Sequence, residues 1–434
     1  MKHNPGKILA AITAVAAFPK LAEAGTISAA AFLSSLGVNT HIAYTDGLYA
    51  NIPLVISELQ QLGITQVRDG VTNGINGSAP IGSYITVAQA GIHFTFGIDG
   101  HSCPNNAGIL AQLAMMDQVE QAVPGSITAI EGPNEINNEP VTYNGLTGLA
   151  AGVAMQTDLY ADVHADPNLV GVPVVYFTGY GAGDDGIGPD PTVAPVIADY
   201  DNQHPYPAAG AAPAPWIART SSLPNLSSQD VNTAPAVYTE TGYSTNYQPE
   251  IVQAKYSLDL YMDAVYDNIT RTELYDLMDA YAPGSYQGDD GFGLFAYYDS
   301  PTQGPSTTPK LAATAIHTLT TYFADNGPNA GSFVPTNLSY SVSGLPATGR
   351  SLSIEKSDGT YGIVVWAEPP IWDTATGTPI TAPSENVTVT LANSYPYVSV
   401  MNSIDCCGAV VTYYNTNTVT VAVSDHPILI ALTQ

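Results

Sequence analysis

Two glutamates carry the strongest chemical signal in this chain. Glu135 closes "ITAIEGPNE" (127–135) and Glu240 lies in "PAVYTETG" (235–242), each following an apolar run that reads as a buried strand. An ionised carboxylate in a concave, partly dry site is costly unless it has a partner or a task. Two carboxylates flanking a cleft do have a task. One can protonate a departing oxygen while the other attacks or activates water, which is the chemistry of cleaving a sugar acetal. Other candidates stand in similar places: Asn134 beside Glu135, Arg68 in "TQVRDG" (65–70), His204 and Tyr206 in "HPY", His41 in "GVNTHI" (37–42), and Tyr298 in "FGLFAYYDS" (292–300). Glu131, four residues before Glu135, reads as a buried, paired structural acid, whereas Asp69 and Asp99 read equally as substrate contacts or as loop caps.

The elements that must position these groups alternate. Strand candidates lie at 37–42, 65–70, 93–99, 127–135, 172–177, 196–206, 235–242 and 292–300. Between them run helix candidates such as Ile52–Leu62, whose apolar residues Ile52, Val55, Ile56, Leu59 and Leu62 follow a period near 3.6. Asn144–His164, Pro249–Asn268 and Pro309–Phe323 are others, the last two with proline placed for a first turn. Eight such repeats predict a (β/α)8 barrel over residues 25–330. An open doubly wound sheet is disfavoured, because polar residues recur at strand ends all along the chain (Arg68, Asp99, Glu135, His204, Glu240 and Tyr298) and only a barrel converges those ends on one face. The 105 positions between Glu135 and Glu240 equal three βα units of about 35 residues, a normal barrel spacing. From residue 331 to 434 the pattern changes to alternating strands such as "LSIEKSDGTYGIVVWAE" and "AVVTYYNTNTVTVAVS", with "SDGT" as a hairpin signal. This predicts an antiparallel β-sandwich of about eight strands. The N-terminal "TISAAAFLSSL" has no place in the barrel and is a candidate extra strand for that domain.

Composition narrows the class. Residues 1–24 combine early lysines, an apolar core and a terminal "AEA", the pattern of a removable signal peptide, so secretion is expected. Losing Lys2, Lys7, Lys20 and Glu23 would move the net charge from −28 to −30. Such a surface repels nucleic acid and anionic membranes. The apolar run is too short to span a bilayer. Three cysteines, Cys103, Cys406 and Cys407, make neither a disulfide framework nor a zinc spacing. No metal or other cofactor is expected. "GYGAGDDG" (179–186) is formally GxGxxG, but Asp184 and Asp185 would repel a pyrophosphate, and Pro189 and Pro191 prevent the required helix.

"GPNE" after strand four and "TETG" after strand seven resemble the clan A glycoside hydrolases, with a trailing β domain similar to that of families 30, 39, 51 and 79. The resemblance covers about residues 37–325. It implies a retaining β-glycosidase, with Glu135 as general acid/base, Glu240 as nucleophile and Asn134 on the sugar 2-hydroxyl. It also implies Arg68 beside the nucleophile, and His204 and Tyr206 as strand-six partners. Many clan members end strand eight with tryptophan, where this reading offers Tyr297 and Tyr298. The implied partner is a carbohydrate, and the scarcity of basic residues favours a neutral glycan. Two other readings share the same residues: a carbohydrate-binding barrel without catalysis, against which the intact acid pair argues, and a transglycosylase.

Overall fold

The computed structural model describes residues 25–73, 78–179, 197–207, 210–217, 235–285, 291–302, 304–404 and 408–433. The expected signal peptide, most of "GYGAGDDG", and Cys406 and Cys407 lie outside these residues. The N-terminal two thirds form a parallel eight-stranded barrel. Its strands, in chain order, are Leu36–Asn39, Gln66–Gly70, His93–Gly97, Ile127–Glu131, Val174–Val175, Asp201–Asn202, Ala236–Thr241 and Arg271–Leu274. Each pairs in parallel with the next, and strand eight returns to strand one through Thr272↔Leu36 and Leu274↔Val38. Strands five and six are the exception: among the described residues they are joined by the bridge Val175↔Tyr200 rather than a regular ladder, so the barrel is nearly closed.

Strand eight corrects the sequence reading. "FAYYDS" is not a barrel strand: Phe295–Ser300 folds back on Gly304–Pro309 as an antiparallel hairpin outside the barrel sheet. The true eighth strand, "RTEL", has no alternating apolar pattern because it points polar groups into the barrel. Arg271 Nη1 donates to Thr128 Oγ1 at 2.9 Å, and Glu273 Oε1 accepts from Thr95 Oγ1 at 3.0 Å. Burial pushes the Glu273 carboxyl up to about 7, against the pull of Arg271.

The C-terminal antiparallel domain is one curled seven-stranded sheet that closes over its own core. Its long strand Glu385–Asn402 pairs with Ala409–Val423 on one side, and with Tyr340–Ser343 and Ile428–Thr433 on the other. The N-terminal chain does join it, since Ile27–Ser28 pairs in parallel with Ile354–Glu355. Strands Tyr361–Trp366 and Ile428–Thr433 are buried almost continuously because both their faces are covered, whereas Glu385–Asn402 and Ala409–Val423 keep stretches of the in-and-out alternation. Ile363 and Val365 point into the domain's own core, whereas Val364 and Trp366 join the barrel's core. Helix Glu250–Tyr266 is consequently buried almost all round, between barrel and sheet. Helix Leu311–Phe323 meets the same sheet through Phe323, which also packs edge-on against Phe32 at 5.1 Å.

Candidate active site

Parallel βα repeats deliver every strand's C-terminal end to one face, and there a cleft of about 850 Å³ opens. Arg68, Asn134, Glu135, Tyr206, Glu240 and His41 all line it. Regular pairing of strand four stops at Glu131, four residues short of the expected end. The "GPNE" segment then runs beside strand five's extension through isolated bonds: Gly132 N to Val175 O at 3.1 Å, and Glu135 N to Thr178 Oγ1 at 3.0 Å. Gly132 lets the chain pass close to its neighbours, since a Cβ there would lie 1.9 Å from Gln156 Oε1 and 3.0 Å from Phe177 N. Glu135 itself takes φ 35°, a left-handed conformation that costs a non-glycine residue of order 1 kcal/mol or more and collects at functional sites. The turn is fixed by Asn138 N and Glu139 N, both donating to Glu135 O.

Arg68 is the hub. Its Nε and Nη2 grip Glu131 at 2.7 and 3.1 Å, its Nη1 pairs with Glu240, and Nη2 also reaches Asn134 Oδ1 at 2.8 Å. Because a guanidinium only donates, the Asn134 carbonyl must face it, which turns the amide NH2 elsewhere. Glu131 is fully buried and further accepts from Asn202 Nδ2 and Thr239 Oγ1, a structural acid as its sequence position suggested.

Tyr206 OH donates to Glu240 Oε2 at 3.0 Å. Burial pushes the Glu240 carboxyl up, but the charges of His204 and Arg68 and the Tyr206 hydrogen bond outweigh it, holding the carboxyl below its ordinary range. His204 differs from its expected role. The ring is fully buried and both nitrogens are taken, Nδ1 by Glu135 Oε1 at 2.8 Å and Nε2 by Thr239 Oγ1 at 3.0 Å. It cannot reach a sugar. It bridges the two glutamates instead, with Nδ1 also 3.6 Å from Glu240 Oε2. Burial lowers its basicity, yet the Glu240 charge and the Glu135 hydrogen bond raise it overall. Atoms of Glu135, His204 and Glu240 lie within 4.8 Å of one another, a spacing that could also span a cation. The geometry spends those atoms on each other and sets Arg68 beside them.

His41 stacks on Tyr44 with ring centroids 4.6 Å apart, and burial lowers its pKa to about 4, so it meets the cleft as a neutral ring. Asp69 and Asp99 resolve as caps. Asp69 accepts from Thr40 Oγ1 and the amides of Ile42 and Gly70. Asp99 accepts from His101 N and pairs with Ser102 Oγ. Tyr298 does not reach the cleft: it is 47% exposed on the outer hairpin. The cleft aromatic at the end of strand eight is Tyr275, which the sequence reading missed with its strand. Trp216, Tyr247 and Gln248 on the opposite wall were also missed, because nothing in sequence ties loop residues to a cleft.

No family model matches the chain, and no curated protein does. Solved structures do. A family 39 glycoside hydrolase from Bacteroides cellulosilyticus WH2 superposes with TM-score 0.61 at 13% identity, covering 94% of this chain and 82% of that one. The endo-β1,6-glucanase structure matches at TM-score 0.57 and 11% identity, over 96% and 95% of the two chains. A family 30 subfamily 8 xylanase from Clostridium acetobutylicum matches at 0.54 and 9%, over 92% and 96%. The chain therefore has the barrel-plus-β-domain fold of the family 39 and family 30 clan A glycoside hydrolases.

Proposed function

We propose that this protein is a retaining β-glycoside hydrolase acting by double displacement. One observation carries the reading: one carboxylate oxygen of Glu135 and one of Glu240 lie within 4.8 Å of each other across the cleft, both beside His204, with Tyr206 and Arg68 held by Glu240. Retaining enzymes hold their two carboxyl groups about 5–5.5 Å apart, whereas inverting ones leave room for a water at about 6.5–9.5 Å. Glu240, kept ionised by His204, Arg68 and Tyr206, attacks the anomeric carbon. Glu135 donates its proton to the leaving oxygen, then takes one from the water that releases the glycosyl-enzyme ester. Asn134, its carbonyl committed to Arg68, points its amide donors at the 2-hydroxyl, a contact that tightens as positive charge grows at the ring.

The substrate in this reading is a neutral glycan. Arg68, the guanidinium that lines the cleft among the described residues, is fully engaged by acids and amides, while the acidic side chains of Glu139 and Asp99 line the walls. Secretion through the N-terminal leader belongs to the same reading. The test is the anomer first formed from an aryl β-glycoside, followed by NMR. Retention is expected, and an inverted product removes the assignment. With an activated aryl glycoside, azide should restore turnover to Glu135→Ala and yield a β-glycosyl azide.

A further inference from the structure

The cleft's two long walls differ in how their polar atoms are used. On the side of strands one to three, the Asp69 and Asp99 carboxylates are consumed by local caps. On the side of strands six and seven stands Gln248, only 4% exposed, which lines the cleft and whose Oε1 and Nε2 meet no partner among the described residues. A buried amide with both ends unsatisfied costs on the order of 1–3 kcal/mol per group unless something else completes it. Two aromatic rings share that wall: Trp216, half-buried, and Tyr247, 65% exposed at the rim.

The geometry points to a sugar-binding subsite built from Gln248, Trp216 and Tyr247, beside the Glu135–Glu240 pair. It rests on the glycoside hydrolase reading for its ligand class, a neutral sugar unit. The amide offers a donor and an acceptor side by side, which suits two adjacent hydroxyls, and the rings offer apolar faces to sugar C–H groups. The wall is built rather than incidental. Gly210, at φ +84°, gives the room: a Cβ there would come 2.8 Å from Trp372 and 3.3 Å from Gln248 Oε1. Trp372 belongs to the C-terminal domain, and Glu368 of that domain accepts Ala214 N at 2.6 Å, two residues before Trp216. Tyr243 OH ties down Ala211 O at 2.9 Å from the other side. The sheet domain thus holds the wall that carries the subsite.

The experiment is calorimetric titration of the full chain carrying Glu240→Gln with cellotetraose, xylotetraose, laminaritetraose and gentiotetraose. It is repeated with Gln248→Met or Trp216→Ala added. Gln248→Met keeps the volume and removes both unpaired atoms, so Tm should hold or rise. Affinity for the tetrasaccharide that binds should fall roughly tenfold, the equivalent of one or two neutral hydrogen bonds. Trp216→Ala should weaken the same ligand. A lower Tm with unchanged affinity would mean that Gln248 serves packing, and would overturn the subsite. So would a parent that binds none of the four. Hydrolysis is not read in this titration: if the wild-type chain cleaves none of the four yet Gln248→Met loses binding, the subsite stands and the hydrolase reading falls.

Discussion

Two groups of buried acids in this molecule have nearly the same exposure and very different partners. In the cleft, Glu131, Glu135 and Glu240 are surrounded by donors: Arg68, His204, Tyr206, Asn138, Asn202 and Thr239. Between barrel and sheet, Asp259, Asp263 and Glu368 are buried with far fewer. Asp263 Oδ1 receives Trp366 Nε1 at 2.9 Å and Arg350 at 3.2 Å, and Glu368 Oε2 receives Ala214 N. Both oxygens of Asp259 meet no donor among the described residues, and Asp263 and Glu368 hydrogen-bond each other, which requires one of the two to carry a proton. Arg350 is shared with Asp267, and the other nearby cation, Lys255, is committed to Asp425 at 2.7 Å, which His426 also faces. Burial, then the neighbouring Asp263, pushes Glu368 up to about 10, and Asp259 and Asp263 are raised chiefly by burial as well. In the cleft the same burial is outweighed, and Glu240 is lowered. Depth alone does not decide the charge of an acid; the donors it meets do.

The sharpest way to break this contrast is at the nucleophile. Glu240→Gln keeps the shape and the Tyr206 contact but removes the charge, so kcat should fall by roughly four powers of ten while the thermal melt stays cooperative. Residual turnover near wild type would place the reactive carboxylate elsewhere. Arg68→Lys tests what keeps Glu240 ionised. A lysine cannot grip Glu131 with two prongs and still reach Glu240 and Asn134, so a loss of about ten- to a hundredfold in kcat is expected. Glu240 is lowered partly by Arg68, so weakening that contact raises its pKa. The acidic limb of kcat/KM against pH should therefore move upward, and an unmoved limb would assign Arg68 to the fold alone.

The smallest effect belongs to the interface. A carboxyl whose folded pKa is raised stabilises the fold while protonated, fully below its unfolded value of 4.5, and progressively less as pH climbs toward about 10. Glu368→Gln imitates the protonated form and can still accept from Ala214 N. Tm should rise by a few degrees at pH 8 and stay level at pH 4. An equal change at both pH values would show that Glu368 is ionised in the fold.

Much of the site was readable in order along the chain. Strand periodicity located the ends that carry Arg68, Asn134, Glu135 and Glu240, and helix Ile52–Leu62 has the expected bounds. Strand eight was not readable, because Arg271 and Glu273 face a polar barrel interior and erase the apolar alternation. Tyr298 took the place of Tyr275 for that reason.

What the sequence determined by itself is the alternation of strand and helix, and which acids end the strands. Parallel repeats must send those ends to one face, whatever the details of packing. What only the tertiary structure decided is direction and partnership. His204 turns beneath the cleft to join two glutamates instead of touching a sugar, and Ile27–Ser28 pairs with a strand more than three hundred residues away. Gln248 is left without a partner among the described residues, beside Trp216 on a wall held by the other domain. These outcomes depend on contacts between segments far apart in the chain, and a local pattern of residue types carries no record of which distant segment will arrive beside it.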